Sequence, residues 1–206
     1  MFAVPALAAF EESDWEAVST AFKDAPILPF RQAWLETPHP DFRGGEVRLG
    51  WTGEGLWVFA QMEDECIFTQ ATADNQKLWT LGDVFEIFVG DLGEDGYLEL
   101  HTAPNGHRLQ LRFPSDLTFE QMRGGRGRLA DLIVEDPLFR AHVRIIPGGW
   151  EVVACLTAVR GRTLRASFSR YDYRDAAARP VVSSTSPHSA FNFHAQREWA
   201  HFCLVD

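Results

Sequence analysis

Apolar and polar residues alternate with a period of two along most of the chain, and turn-forming residues recur about every ten positions. Because successive side chains of a strand point to opposite faces, this pattern predicts half-buried strands. Helix signals are confined to a short turn that begins at Trp15 behind Asp14 and to residues 115–122. The predicted strands are 46–50, 55–63, 83–90, 96–103, 107–113, 139–146, 150–157, 164–171 and 201–205.

A length of 206 residues, without an internal repeat or a low-complexity linker, favours one domain that spans residues 1–206. Many short strands separated by turns, with few helices between them, are typical of two stacked sheets. We therefore expect an all-β fold, a single antiparallel β-sandwich of immunoglobulin-like or jelly-roll-like type with one or two short helices.

The central hairpin allows a register to be predicted. Asn105-Gly106 lies between two alternating segments and favours a type I′ turn, in which both central residues have positive φ. A two-residue loop there pairs Pro104 with His107. The same register opposes Leu98 with Phe113, Leu100 with Leu111, Thr102 with Leu109, Glu99 with Arg112, and His101 with Gln110.

A symmetric hairpin loop at 91–96 adds the preceding strand to this sheet and places Glu86 opposite His101. One face is then apolar, as a half-buried sheet requires. A shift by one residue would bury Glu99 and Arg112, and because buried charges are costly, we expect the register to hold. The other face carries a polar patch from three adjacent strands: Glu86, Glu99, His101, Gln110 and Arg112.

Trp79 lies in a polar stretch directly before the strand that carries Glu86. A sugar ring offers an apolar C–H face to an indole and a rim of hydroxyls to carboxylates, amides and guanidinium groups. An exposed tryptophan beside such a strand therefore suggests a sugar-binding site. A buried core tryptophan is the alternative.

Composition narrows the classes of partner. The aromatic content is 13%, with seven Trp and sixteen Phe, which is enough to line a binding surface as well as a core. The formal net charge is −10 and the pI is about 5.1, which argues against nucleic acid or an anionic membrane as partner. The three cysteines, Cys66, Cys155 and Cys203, form neither a disulfide framework nor a zinc spacing.

The N-terminal stretch is apolar, but it has no basic segment and is broken by Pro5, so it does not match a signal peptide. No run reaches the ~20 apolar residues that span a membrane. As written, the sequence favours a cytoplasmic location, and it leaves the oligomeric state open.

Four segments carry a resemblance that covers most of the chain. They are Trp51–Phe59 with Glu63-Asp64, the block from Trp79 through Gly82-Asp83 to Glu86-Ile87-Phe88, the block from Gly96-Tyr97 through Glu99 and His101 to Pro104-Asn105-Gly106, and Phe168–Asp172 with Phe193-His194, Trp199 and Phe202. In this order they resemble the family 9 carbohydrate-binding modules and their relatives in the DOMON-like superfamily.

The resemblance implies a site that binds the end of a sugar chain between two aromatic rings. It also bears on location, because family members are often extracellular. Trp79 would be the first ring, and Phe193 would stand where sugar-gripping members commonly have Trp. Glu86 would accept sugar hydroxyls, with Glu99 and His101 as further contacts. Together with the sheet register, the predicted ligand-binding residues are Trp79, Glu86, Glu99, His101, Gln110, Arg112 and Phe193.

Members of the family often hold structural calcium, which prefers oxygen ligands. The candidate oxygens belong to Asp64, Asp74, Asp91 and Asp95, but no segment matches a calcium loop, so solvated acidic turns are the simpler interpretation.

Two catalytic alternatives are weaker. Glu86 and Glu99 could stand at glycosidase distance, but Arg112 opposite Glu99 would keep that carboxylate ionised and unable to act as an acid. The stretch Ser183–His188 lacks a G-x-S-x-G motif and indicates an exposed loop. We therefore predict no enzyme activity and no catalytic residues.

The prediction is thus non-catalytic binding of a mono-, di- or oligosaccharide. One alternative is a haem-binding electron-transfer domain of DOMON type, with Met62 and one of His101, His107 or His194 as axial ligands. The other is a protein-interaction domain without a sugar ligand, in which the aromatics are buried and the polar face docks a partner.

Overall fold

The computed structural model describes residues 1–159 and 161–205, with the exception of the Asp116 side chain. Within them, no helix is long and apolar enough to cross a membrane. Two helices are present, α1 (Trp15–Ala21) and α2 (Asp116–Arg123). The strands are β1 (Phe2–Pro5), β2 (Ile27–Pro29), β3 (Gly45–Thr52), β4 (Gly55–Glu63), β5 (Val84–Asp91), β6 (Tyr97–Thr102), β7 (Arg108–Phe113), β8 (Phe139–Ile146), β9 (Gly149–Leu156), β10 (Thr163–Asp172), β11 (Val181–Ser184) and β12 (Ala200–Val205).

All nine predicted strands are present, and both predicted helices form. Asp14 caps α1, since its Oδ1 accepts hydrogen bonds from the N–H groups of Glu16 and Ala17, both at 3.1 Å. Strands β1, β2 and β11 were not predicted, because three or four residues are too few to show a period.

The strands form two stacked sheets, which confirms the predicted β-sandwich. The first sheet has the order β1-β12-β10-β5-β6-β7, with β11 paired to one end of β10. The second sheet has the order β2-β3-β4-β9-β8. Every strand pair is antiparallel except β1 with β12, which is parallel.

Apolar side chains fill three layers. The layer between the sheets includes Trp150 and the stacked rings of Phe85 and Phe168, whose centroids are 6.3 Å apart. On the outer face of the second sheet, α1 covers Trp57 and Phe59. A third cluster lies on the outer face of the first sheet, so strands such as β5 are buried on both faces.

The prediction of a two-residue type I′ turn between β6 and β7 is wrong. The N–H of Gly106 donates to the carbonyl of Ala103, and the N–H of Ala103 donates to the carbonyl of His107, both at 2.9 Å. Gly106 has φ +87°, whereas Asn105 lacks the positive φ of a type I′ turn. The loop therefore has three residues. Pro104 explains this, because its φ suits the second position of a type I turn and it has no N–H to pair with His107.

The extra loop residue shifts the β6–β7 register by one. Glu99 is paired with Leu111 and His101 with Leu109, while the partner of Glu86 is His101, as predicted. Leu109, Leu111 and Phe113 therefore share the outer face with Glu99, and Gln110 and Arg112 point to the opposite face. The expected cost of burying Arg112 does not arise, because β7 is an edge strand and this side chain is exposed.

Candidate functional site

The outer face of the first sheet contains a cavity of about 400 Å³. Its floor is formed by side chains of β5 and β6, including Glu86, Phe88 and Glu99. Residues of β7 and α2 form one wall, and the segment 191–194 forms another. The remaining lining residues are Trp79, Leu111, Phe113, Phe119, Met122, Arg123, Leu129, Tyr171, Phe191, Asn192, Phe193 and His194.

An ionisable network lies at the floor. Nε2 of His101 is 2.7 Å from Oε1 of Glu99 and 3.5 Å from Oε1 of Glu86. The three residues are 0%, 5% and 3% exposed respectively, so their charges are shielded from bulk water. The β5–β6 pairing produces this arrangement, because Glu86 is opposite His101 and Glu99 lies two residues away on the same face.

Burial raises the pKa of Glu86 to about 8, against the opposing pull of His101 and with a further increase from Glu99. Burial alone would lower the pKa of His101, but the two carboxylates outweigh it and raise the pKa. The pKa of Glu99 is lowered, because His194 and His101 together outweigh its burial. The shifts thus favour the charged forms of Glu99 and His101, whereas the pKa of about 8 keeps Glu86 protonated at neutral pH.

His194 lines the cavity next to Glu99 and extends this network. Its Nδ1 is 2.6 Å from Oη of Tyr97, and its Nε2 is 3.8 Å from Oε2 of Glu99. The ring stacks on Phe119 with a centroid distance of 3.5 Å. Burial lowers the pKa of His194 to about 4, so the imidazole is neutral at pH 7.

Two aromatic rings present surface to the cavity mouth. Trp79 is half-buried and packs edge-to-face on His101 at 5.4 Å. Phe191 is 56% exposed and lies 5.2 Å from Phe193, which is itself only 4% exposed. The predicted second ring, Phe193, thus lines the cavity from a packed position, and the more accessible ring is Phe191, which sequence reasoning missed.

The Gly82-Asp83 dipeptide holds Trp79 at this position. Gly82 has φ +141°, and a Cβ atom there would lie 2.3 Å from the carbonyl oxygen of Phe68. The Asp83 carboxylate accepts hydrogen bonds from the N–H groups of Phe68 and Tyr173, both at 2.6 Å. The hydroxyl of Tyr173 in turn donates to the carbonyl of Trp79 at 2.7 Å.

Comparison with solved structures assigns the architecture. A Bacteroides uniformis protein whose name proposes carbohydrate binding aligns with a TM-score of 0.76 and 16% identity, over 99% of this chain and 98% of its own. A family 9 carbohydrate-binding module of Caldicellulosiruptor kristjanssonii, solved with cellotriose, aligns with a TM-score of 0.65 and 14% identity, over 98% of this chain and 92% of its own. A family 9 module of the same organism, solved with glucose, aligns with a TM-score of 0.64 and 12% identity, over 99% of this chain and 95% of its own.

The fold is that of a family 9 carbohydrate-binding module. No protein-family model and no curated protein sequence matches the chain.

Five of the seven predicted site residues meet on the expected face of this family 9 fold: Trp79, Glu86, Glu99, His101 and Phe193. Gln110 and Arg112 do not, because of the register shift. Gln110 instead holds the segment before β8, since its Nε2 donates to the Val134 carbonyl at 2.9 Å and its Oε1 accepts from the Leu138 N–H at 2.7 Å. The ion partner of Glu99 is therefore His101 and not Arg112.

Three of the four aspartates considered for calcium, Asp64, Asp74 and Asp91, have protein partners for their carboxylates. Asp64 pairs with the buried Arg170 at 3.2 Å, and Asp74 accepts the N–H of Arg108 at 2.8 Å. Asp91 accepts the N–H of Gly161 at 3.2 Å, and the main-chain carbonyl of Asp95 is 3.5 Å from Nε2 of Gln196. Among the described residues, only Asp64 of these four joins a potential metal-ligand cluster, and Arg170 already supplies a cation there.

The expectation of an exposed loop at Ser183–His188 is wrong. Ser184 belongs to β11, and His188 is fully buried. His188 places Nδ1 3.1 Å from Glu198 and Nε2 3.4 Å from Oγ of Ser167, an order that resembles a hydrolase triad. Because Ser167 is also fully buried, a substrate cannot reach its hydroxyl, and the three residues form a structural network.

The structure separates two of the three ligand pairs that the haem alternative requires. Met62 packs in the layer between the sheets, whereas His101 and His194 lie on the outer face of the first sheet. His107 is at the β6–β7 loop, where its Nδ1 is 3.3 Å from Asp74. Met62 therefore cannot share one haem iron with His101 or His194.

Proposed function

We propose that this chain is a non-catalytic carbohydrate-binding protein whose sugar ligand occupies the cavity on the outer face of the first sheet. The observation that carries the proposal is the combination, in one cavity, of open aromatic surface with carboxylates at the floor. The likeness in fold to family 9 modules solved with glucose and cellotriose supports it.

The rings of Trp79 and Phe191 would cover the apolar faces of a sugar at the cavity mouth. Glu99 would accept a hydroxyl hydrogen through Oε2, which has no hydrogen-bond partner among the described residues. A protonated Glu86 would both donate to and accept from a second hydroxyl. The floor is closed by the sheet, so a mono- or disaccharide, or the end of a longer chain, fits this geometry better than the middle of a polysaccharide.

The placement of the carboxylates also argues against hydrolysis. A glycosidase positions its two carboxyl groups on either side of the scissile bond. Here Glu86 and Glu99 lie side by side on one floor and share the same nitrogen of His101. Neither faces the other across the cavity, so the site binds without the acid and base pair that cleavage requires.

The test is calorimetric titration of glucose, cellobiose, cellotriose and other neutral sugars into the wild type and Trp79→Ala. Affinity in the micromolar to millimolar range, about −4 to −8 kcal/mol, is expected for the wild type. Trp15→Ala is the matched control, because Trp15 is also half-buried but lies on α1, over the other sheet.

Binding that is lost in Trp79→Ala and kept in Trp15→Ala would support the proposed site. Absence of binding heat with every sugar, together with a larger loss of stability in Trp79→Ala than in Trp15→Ala, would refute it. Trp79 would then act as a packing residue, and the protein-interaction function would be favoured.

A further inference from the structure

The carboxylates at the cavity floor that are proposed to contact the sugar belong, with His101, to a set of potential metal ligands. One potential ligand atom each from Glu86, Glu99 and His101 lies within 4.8 Å of the others. His194 brings a second imidazole nitrogen to 3.8 Å from Glu99 Oε2. Two imidazoles with two carboxylates are a donor set that suits zinc and similar transition metals, whereas calcium prefers oxygen alone.

A second observation points to a missing cation. Oε2 of Glu99 is buried and has no hydrogen-bond partner among the described residues, although the side chain lines the cavity. An unpaired buried carboxylate oxygen is costly, and such groups are normally paired or bound to a metal. The oxygen is on the same side of Glu99 as Nε2 of His194, so an ion between them would satisfy both.

The orientation of His194 is a third, independent observation. Its Nδ1 is held by Oη of Tyr97 at 2.6 Å, and its ring is held by stacking on Phe119. Nε2 is thereby directed at Glu99. Metal-binding histidines are commonly fixed in this way, with an outer partner on one ring nitrogen and the ion on the other.

We propose that Glu86, Glu99 and His101 bind a divalent transition-metal ion of the zinc type at the cavity floor, and that His194, which lies outside their 4.8 Å group, moves towards the ion as the fourth ligand. Ligands at ~2.0–2.2 Å from a tetrahedral ion are roughly 3.4 Å from one another. The 3.5 Å separation of His101 from Glu86 already fits, and the 2.7 Å hydrogen bond to Glu99 lengthens as the ion displaces the shared proton. This inference goes beyond the proposed function, since the ion can bind whether or not a sugar does.

Titration of CoCl₂ into chelator-treated protein tests the site directly. Co²⁺ that is bound by imidazole and carboxylate groups at a low coordination number gives visible absorption bands far stronger than those of aqueous Co²⁺. We expect these bands to saturate at one equivalent and to disappear on addition of ZnCl₂. Because the ring of His101 is 5.4 Å from that of Trp79, cobalt should also quench a fluorescence component that is missing in Trp79→Phe.

Variants assign the ligands. Glu99→Gln and His194→Gln, whose folding is checked by near-ultraviolet circular dichroism, should weaken zinc binding by ~100-fold or more, beyond the effect of losing an outer partner. His201→Gln is the control, because His201 is exposed on β12 and does not line the cavity. Its zinc affinity should stay within about 2-fold of wild type, inside the energy range of a neutral surface change.

Three results would overturn the proposal: wild-type protein without the cobalt bands, cobalt bands without quenching of Trp79, or zinc binding that survives in folded Glu99→Gln. Sugar titration of the chelator-treated wild type is a separate measurement. Sugar binding without metal binding would refute only the metal site, and metal binding without sugar binding would refute only the sugar site.

Discussion

Replacement of Arg112 by alanine distinguishes the two registers of the β6–β7 hairpin by energy. In the register expected from Asn105-Gly106, Arg112 is the ion partner of Glu99. Because the structure buries Glu99, the loss of Arg112 in that register would leave a buried carboxylate without this partner, at a cost of about 3–5 kcal/mol. In the structure, Arg112 is exposed and lies on the opposite face from Glu99. Its side chain forms no hydrogen bond or ion pair with any other described residue. We therefore expect Arg112→Ala to change the free energy of unfolding by no more than ~0.5 kcal/mol.

Leu111→Ala is the companion variant that shows the measurement is sensitive to this strand. Leu111 is fully buried and lines the cavity. Buried Leu→Ala changes cost about 2–5 kcal/mol, and because one side of Leu111 already borders the cavity, we expect about 2–3 kcal/mol. Both registers bury Leu111, so this value does not depend on which of them is right.

Urea unfolding followed by tryptophan fluorescence measures both variants. The comparison is valid when the dependence of the free energy on urea is unchanged, so that a shift of the midpoint reports stability alone. A loss of 2 kcal/mol or more in Arg112→Ala would place Arg112 beside Glu99. That result would refute the register, and with it the apolar wall that β7 contributes to the cavity.

Three further predictions concern other parts of the molecule. Burial lowers the pKa of His188, so the stability that its neutral form contributes is present above the ordinary pKa near 6.5 and is lost as the pH falls. Between pH 7 and pH 5, the unfolding free energy of His188→Gln should therefore fall less than that of the wild type. The two slopes should differ by at most about 1.4 kcal/mol per pH unit, and equal slopes would contradict this. Gly82→Ala should lower stability by ~2 kcal/mol or more in thermal unfolding, because its Cβ would meet the Phe68 carbonyl; a cost under ~0.5 kcal/mol would show that this approach is not close. Phe191→Ala should leave stability within ~0.5 kcal/mol and weaken sugar binding about 5- to 10-fold in calorimetry, and unchanged affinity would remove this ring from the site.

The sequence by itself determined both helices, most of the strands and part of the site. A period of two is a local property of each strand, and it located nine strands and the hairpin partners Glu86 and His101. The N-cap of α1 could also be predicted from the sequence, because an N-cap hydrogen bond joins residues two or three apart. Trp79, with Gly82-Asp83 behind it, could be recognised from a short block of the family pattern.

Only the tertiary structure decided which side chains share the cavity. One additional loop residue at Pro104 exchanged the two faces of β7, and a local pattern cannot distinguish the two registers when both faces carry a plausible set of residues. The approach of His194 to Glu99, the exposure of Phe191 and the burial of His188 depend on segments far apart in the chain. Such contacts are set by the packing of complete sheets and their covering loops, which no window of the sequence contains.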